Sequence, residues 1–448
     1  MSVTITGWVV ILVASFLALT RPNAILPLAL FFVPFSATSV INISAVSYGL
    51  SPAVFLLIVF CGIQAVRGQF LMPIRLSGNH LTGILALVAL AAYVIVDLGA
   101  GGLLGGLSLF QITQSAFLLF GIGTAVLVSI LIHSDKYFLM SIKALLWSGV
   151  FVSFWGMVQA VCFYSGIPYP ADVFNNSISD YADMFDQRSL NVIRIASVAV
   201  EPSFMAFSLL GIFAFSATVV TLRGASASRL QIAAALLSGL TILASTSTTG
   251  YFGLAVFGVL LFTRKPIPVL VVGLLTLAAF VIMLAMLPEF QQGVAAMTVN
   301  KTASGSFTHR WSTVIEGFEQ FAERPWFGWG WGFSTSYSMV TIVLANLGIA
   351  GALLMLMAIV MALLGSLLAR SQSSSEYEQE RVHAVAAEIA FLVSLASCCI
   401  SGFKYVTLDL WFLWALLLGL QTRLAHAPSS SGISDRDKPA ITFSSVSS

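Results

Sequence analysis

The chain has 448 residues, of which 58% are hydrophobic and only 8% charged. A soluble domain carries about 25% charged residues, so these few charges could not cover a water-facing surface of this size, and lipid must solvate most side chains. A net charge of +2 gives no basis for a nucleic-acid partner. Long unbroken apolar runs exclude a barrel, whose strands would be short and alternating. The expected fold is all-α, a polytopic transmembrane helix bundle in which each backbone polar group bonds within its own helix.

Taken in chain order, the apolar runs predict spans at 5-20, 24-38, 50-66, 81-97, 112-132, 144-165, 200-221, 229-245, 248-263, 267-287, 338-368, 384-402 and 405-422. The first two are short for a hydrocarbon core of about 30 Å, so the expectation is about a dozen crossings. Span 338-368 is too long for one straight crossing and should project beyond the bilayer. The first 20 residues lack Lys and Arg, unlike the basic start of a cleaved signal peptide, so Trp8 to Thr20 reads as a mature first span.

Of the 20 Lys and Arg, 14 fall on one set of connections and 6 on the other. The basic set should be cytoplasmic. Residues 1-422 then form a single transmembrane domain with a cytoplasmic, Ser-rich, disordered tail at 423-448. Two long loops, 166-199 and 288-337, face outward, and long loops tend to carry function. Cys61, Cys162, Cys398 and Cys399 sit in or beside apolar runs and read as small hydrophobes. Neither they nor the histidines show metal-ligand spacing, and no Walker loop or dinucleotide fingerprint is present, so no metal or cofactor is expected.

Three constellations could carry chemistry. The first is Arg194-Ile-Ala-Ser197 followed by Glu201-Pro202-Ser203-Phe204, where loop 166-199 enters a span. Pro202 suits a first helical turn and Glu201 the positive end of the helix dipole. Alternatively, Arg194 grips an anionic ligand while Glu201 orients a hydroxyl or takes a proton. The second is Ser245 to Thr249, a run of hydroxyls including Ser247, which reads as a tight helical hairpin or as donors for a sugar. The third is loop 288-337 with Lys301, His309, Arg310, Glu316 and Arg324, followed by Pro325-Trp326-Phe-Gly-Trp329-Gly-Trp-Gly332. Apolar residues at spacings of three and four predict an amphipathic helix over 310-321. Trp326 and Trp329 fit either an interfacial belt or a surface for sugar rings or a prenyl chain. Arg194 and Arg310 are the best candidates for a diphosphate, which a guanidinium binds with paired bonds; Arg324 and Lys301 are secondary.

These motifs in this order (194-204, 245-251, 309-332, then Ala345-Asn-Leu-Gly348-Ile-Ala-Gly351) resemble the O-antigen polymerase and ligase family of bacterial inner-membrane proteins. The resemblance implies a metal-independent, multi-span glycosyltransferase that uses undecaprenyl-diphosphate-linked glycans at the periplasmic face. It implies a diphosphate role for Arg194 and Arg310, catalytic roles for Glu201 and Glu316, and pathway partners such as a chain-length regulator and a flippase. The Glu-Pro-Ser sequence is more similar to repeat-unit polymerases than to ligases. Where family ligases carry His-Asn, alignment on Gly348 and Gly351 places Tyr337-Ser338, with Asn346 at the position of a Glu. Tyrosine, with an ordinary pKa of about 10, is a poor base near neutrality. The alternatives are ligase-type transfer to another acceptor and a lipid-linked oligosaccharide transporter, which would place charges deep within several spans.

Overall fold

In lipid an apolar segment satisfies its backbone only by coiling, and most of the described residues lie in helices. The computed structural model describes residues 1–44, 48–68, 76–104, 106–178, 188–189, 192–266, 305–373 and 377–425. The expected span 267-287, Lys301 and the tail beyond Ala425 lie outside the described residues. Helices run in the order α1 (Ile5–Thr20), α2 (Ile25–Phe31), α3 (Pro52–Val66), α4 (Gly78–Leu104), α5 (Leu109–Leu131), α6 (Asp135–Tyr164) and the single turn α7 (Ala171–Phe174). They continue as α8 (Pro202–Arg223), α9 (Arg229–Ala244), α10 (Thr248–Phe262), α11 (Gly305–Glu323), α12 (Met339–Gln372), α13 (Glu378–Ser401) and α14 (Asp409–Ala425).

Among the described residues six helices are long and apolar enough to cross a membrane: α4, α5, α6, α8, α12 and α13. α1, α3, α9, α10 and the α2 segment are apolar but shorter. The molecule is therefore a multi-pass helical membrane protein; among the described residues, six helices of full spanning length are seen against the expected dozen. The stretch 24-38 is not one helix. α2 ends at Phe31, and a turn with Pro34, which has no N–H to continue a helix, leads into extended chain. There Thr38 Oγ1 donates to the Phe174 carbonyl (2.6 Å) and the Ser39 N–H to Asn176 Oδ1 (2.9 Å). That chain enters a small antiparallel sheet that hydropathy did not predict: β1 (Ser2–Val3), β2 (Ile41–Ile43) and β3 (Tyr48–Leu50), with Ser2 opposite Asn42 and Ile41 opposite Leu50.

The centre of the bundle is α14, buried along nearly its whole length and packed on α5, α12 and α13. A helix apolar on every side belongs inside other helices. α8 packs on α9 and α13 beside it. Charges cluster at the two ends. At one end Glu388 of α13, almost fully buried, accepts bonds from Arg370 of α12 (2.9 Å), Arg264 (3.4 Å) and Ser366 Oγ (2.7 Å). Also at this end Arg423 is fixed within α14, pairing with Asp135 (2.6 Å) and Glu380 (3.4 Å). These polar turns explain why α6 and α13 begin before the apolar runs that predicted them. The opposite end carries the N-termini of α8, α10 and α12 and the candidate site.

Candidate functional site

The framework of the site is a broken helix. α12 is interrupted at Gly348, whose φ of 62° and ψ of −166° lie outside the helical region. A break at membrane depth leaves carbonyls and N–H groups that must find partners. The glycine-rich strap 325–334 supplies them. Trp329 N–H donates to the Ala345 carbonyl (3.0 Å) and Gly330 N–H to that of Asn346 (2.9 Å). In return Ile349 and Ala350 N–H groups donate to the Pro325 (2.8 Å) and Trp326 (3.1 Å) carbonyls. Tyr93 of α4 donates to the Leu347 carbonyl (2.9 Å). The backbones touch: a Cβ on Gly348 would lie 2.5 Å from Trp326 main-chain atoms, and one on Gly328 (φ 72°) 2.4 Å from those of Asn346. The glycines between the tryptophans are thus needed for this close approach.

Asn346 completes the clamp. Its Oδ1 accepts from Ser334 N–H (2.7 Å), and its Nδ2 donates to the Ser334 (2.9 Å) and Ile342 (2.8 Å) carbonyls. α11 then lies against the start of α12, with Gly317 facing Thr341 and Ser336.

On this framework three distant segments meet. Arg194 stands half-buried within electrostatic reach of Glu201, Arg310 and Tyr251. Burial pushes its guanidinium pKa down, Glu201 pulls it back up, and Arg310 presses it further down. Glu201 is the N-cap residue of α8, yet its carboxylate makes no cap bond and instead accepts the Ser203 hydroxyl. Arg310 of α11 lies over the Tyr337 ring (4.7 Å), and His309 packs edge-on to the same ring (5.9 Å). Among the described residues two non-glycine residues have positive φ: Ser197 (54°), between Arg194 and Glu201, and Thr246 (50°), five residues before Tyr251. Such conformations cost about 1–3 kcal/mol and persist where surroundings enforce them. Ser197 is enforced on all sides. Its N–H donates to Gln159 Oε1 (2.9 Å), its hydroxyl to the Val152 carbonyl (2.7 Å), and its carbonyl accepts from Asn175 Nδ2 (3.1 Å).

Of the expected residues, Arg194, Glu201 and Arg310 come together. Ser247 is buried at the N-cap of α10, one turn before Tyr251, and its hydroxyl makes no cap bond. Arg324 is exposed and stacks on Trp329 (3.7 Å), which stacks in turn on Phe333 (4.7 Å). Glu316 and Trp326 are exposed, and no described contact ties either to the cluster. Two residues escaped sequence reasoning. Trp331, the third tryptophan of the strap, is buried against Tyr405 (4.9 Å). Lys404, in the turn between α13 and α14, enters the cluster within electrostatic reach of Glu201 and Arg310.

An arrangement of cations around one carboxylate can hold an anion and accept a proton beside it. Comparison with known proteins gives the same direction. Residues 233–352 match the O-antigen ligase family, whose members transfer glycans, in keeping with the resemblance read from the motifs. The matched stretch contains the hydroxyl run, α11, the strap and the break in α12. No curated protein matches the chain.

Proposed function

We propose that this chain, whose residues 233–352 match the O-antigen ligase family, polymerises undecaprenyl-diphosphate-linked oligosaccharide repeat units at the periplasmic face of the inner membrane. The observation that carries the reading is the convergence of Arg194 and Glu201, seven residues apart, with Arg310, more than a hundred residues further along the chain. A hydroxyl of the acceptor sugar attacks the anomeric carbon of the donor chain, whose bond to the diphosphate oxygen breaks. The negative charge that develops on the departing undecaprenyl diphosphate falls to the two arginines, a use of fixed charge where charge appears in the transition state. Glu201, its second oxygen free of the Ser203 bond, receives the acceptor proton. Bond formation on one face as the diphosphate leaves the other inverts the anomeric centre.

The polymerase is favoured over the ligase by Tyr337. It occupies the position where family ligases carry histidine, and its ring packs against Arg310 rather than offering a base. The test uses purified protein in nanodiscs with the lipid-linked repeat unit of its own host. A ladder of lengthened lipid-linked products in the wild type, lost in Arg194→Ala and Arg310→Ala with folding intact, supports the reading. Transfer to lipid A core without a ladder would replace it with the ligase. Movement of the intact lipid-linked unit across a vesicle, with no new glycosidic bond, would sink the enzyme altogether.

A further inference from the structure

The turn between α13 and α14 carries a lysine with no structural need for its charge. Lys404 is buried, at 6% exposure, where an ammonium is costly unless something compensates it. Its Nζ lies over the face of Phe204 (3.6 Å from the centroid), a contact that attracts a cation. It takes part in none of the ion pairs formed among the described residues. The main chain around it is held firmly. The Lys404 carbonyl accepts from Thr407 N–H (3.2 Å) and Oγ1 (2.9 Å), and Gly402 (φ 86°) sits against the Ser336 carbonyl. Phe204 itself is three residues from Glu201. Lys404 therefore belongs to the same cluster by position, and it makes the charge balance there lopsided. Among the described residues, Arg194, Arg310 and Lys404 stand within electrostatic reach of one carboxylate, that of Glu201. That surplus of positive charge matches a ligand bearing about two negative charges at one end.

We propose that Lys404 is a third cation of the diphosphate site, binding the same phosphate oxygens as Arg194 and Arg310, with Phe204 and Glu201 holding its ammonium ready. The inference rests on the glycan-transfer reading above and extends it to a residue outside the matched domain. Lysine acts here as a compact point charge beside two planar forks.

The full-length protein in detergent is titrated with undecaprenyl diphosphate and undecaprenyl monophosphate, with binding followed by native mass spectrometry. Lys404→Gln should weaken the diphosphate complex roughly 10- to 100-fold, the loss expected for one charge-assisted bond. It should weaken the monophosphate much less, and Lys404→Arg should restore most of the diphosphate affinity. Lys404→Met, which keeps the apolar stem on Phe204, serves the same comparison if the glutamine variant does not fold. Unchanged diphosphate binding in the folded variant, alongside its loss in Arg194→Ala, overturns the role of Lys404 and leaves the transfer reading standing. A wild type that binds no diphosphate and makes no polymer removes both.

Discussion

Arg194 and Arg310 illustrate how much a residue type can say by itself. A guanidinium near a helix start at the membrane surface suggests an anion from sequence, and in the fold the two stand within electrostatic reach of one another and of Glu201. Replacing either with alanine should lower kcat/KM on the lipid-linked donor by about 1.5–3 kcal/mol of transition-state stabilisation, measured by initial rates of chain extension. Lys404 was legible only as a charge in the orientation count, because its neighbours in sequence are apolar and its partners lie some 90 and 200 residues away. Burial brings its pKa down to about 8, with Glu201 and Cys398 pulling it up and Arg310 pushing it down. The group carries its positive charge below that value and loses it as pH rises through it. If the ammonium binds diphosphate, kcat/KM should therefore fall above about pH 8, since that parameter reports the free enzyme. The falling limb should move to higher pH in Lys404→Arg. A profile identical in both proteins would show that this titration is not felt by the reaction.

At the scale of elements, the strap and α12 form one device from two motifs that look unrelated in sequence. The alternation of tryptophan and glycine suggested a membrane belt or a sugar platform. In the fold the glycines admit the neighbouring main chain, and the three tryptophans have separate surroundings: Trp326 exposed, Trp329 stacked under Arg324, Trp331 buried. Nothing in hydropathy distinguishes these fates, since they depend on the break at Gly348. Gly348→Ala places a Cβ in a backbone that disfavours it and 2.5 Å from Trp326 main-chain atoms. A thermal melt in detergent should show destabilisation of at least about 1–2 kcal/mol, with activity lost alongside. Asn346→Ala leaves buried Ser334 main-chain groups without their partners and should cost about 1–3 kcal/mol. A melting curve matching wild type would mean that the clamp contributes nothing.

For the whole molecule, composition alone dictated a helical membrane protein, and the apolar middles of the helices were visible as hydropathy runs. The ends were not, because they are built from polar residues whose partners come from elsewhere. α6 and α13 start on acids that meet Arg423. The short strands near the N-terminus were invisible for a related reason: two or three residues carry no period to read. Glu388, which lies within the apolar run 384-402, pairs with Arg370 and Arg264 at the end remote from the site. Glu388→Ala would strand Arg370 in a buried position and should destabilise the fold by about 3–5 kcal/mol, read as a lowered melting temperature. The protein that remains folded should extend chains at the wild-type rate.

The strap and the two halves of α12 are joined by bonds between residues only 12 to 24 positions apart, as from Ser334 to Asn346 and from Ile349 to Pro325. Contacts of such short sequence separation close quickly, because little chain entropy is lost in making them. The clamp can therefore assemble as soon as its hairpin leaves the ribosome and enters the bilayer, before α13 and α14 exist. Lys404 arrives only with those last helices, and Arg194 must wait for α11 to meet its guanidinium partner. During biogenesis the chain thus builds a rigid mount before the last cation of its charged pocket arrives, and a nascent chain stopped after α12 should already protect the Gly330 and Ile349 amides from hydrogen exchange.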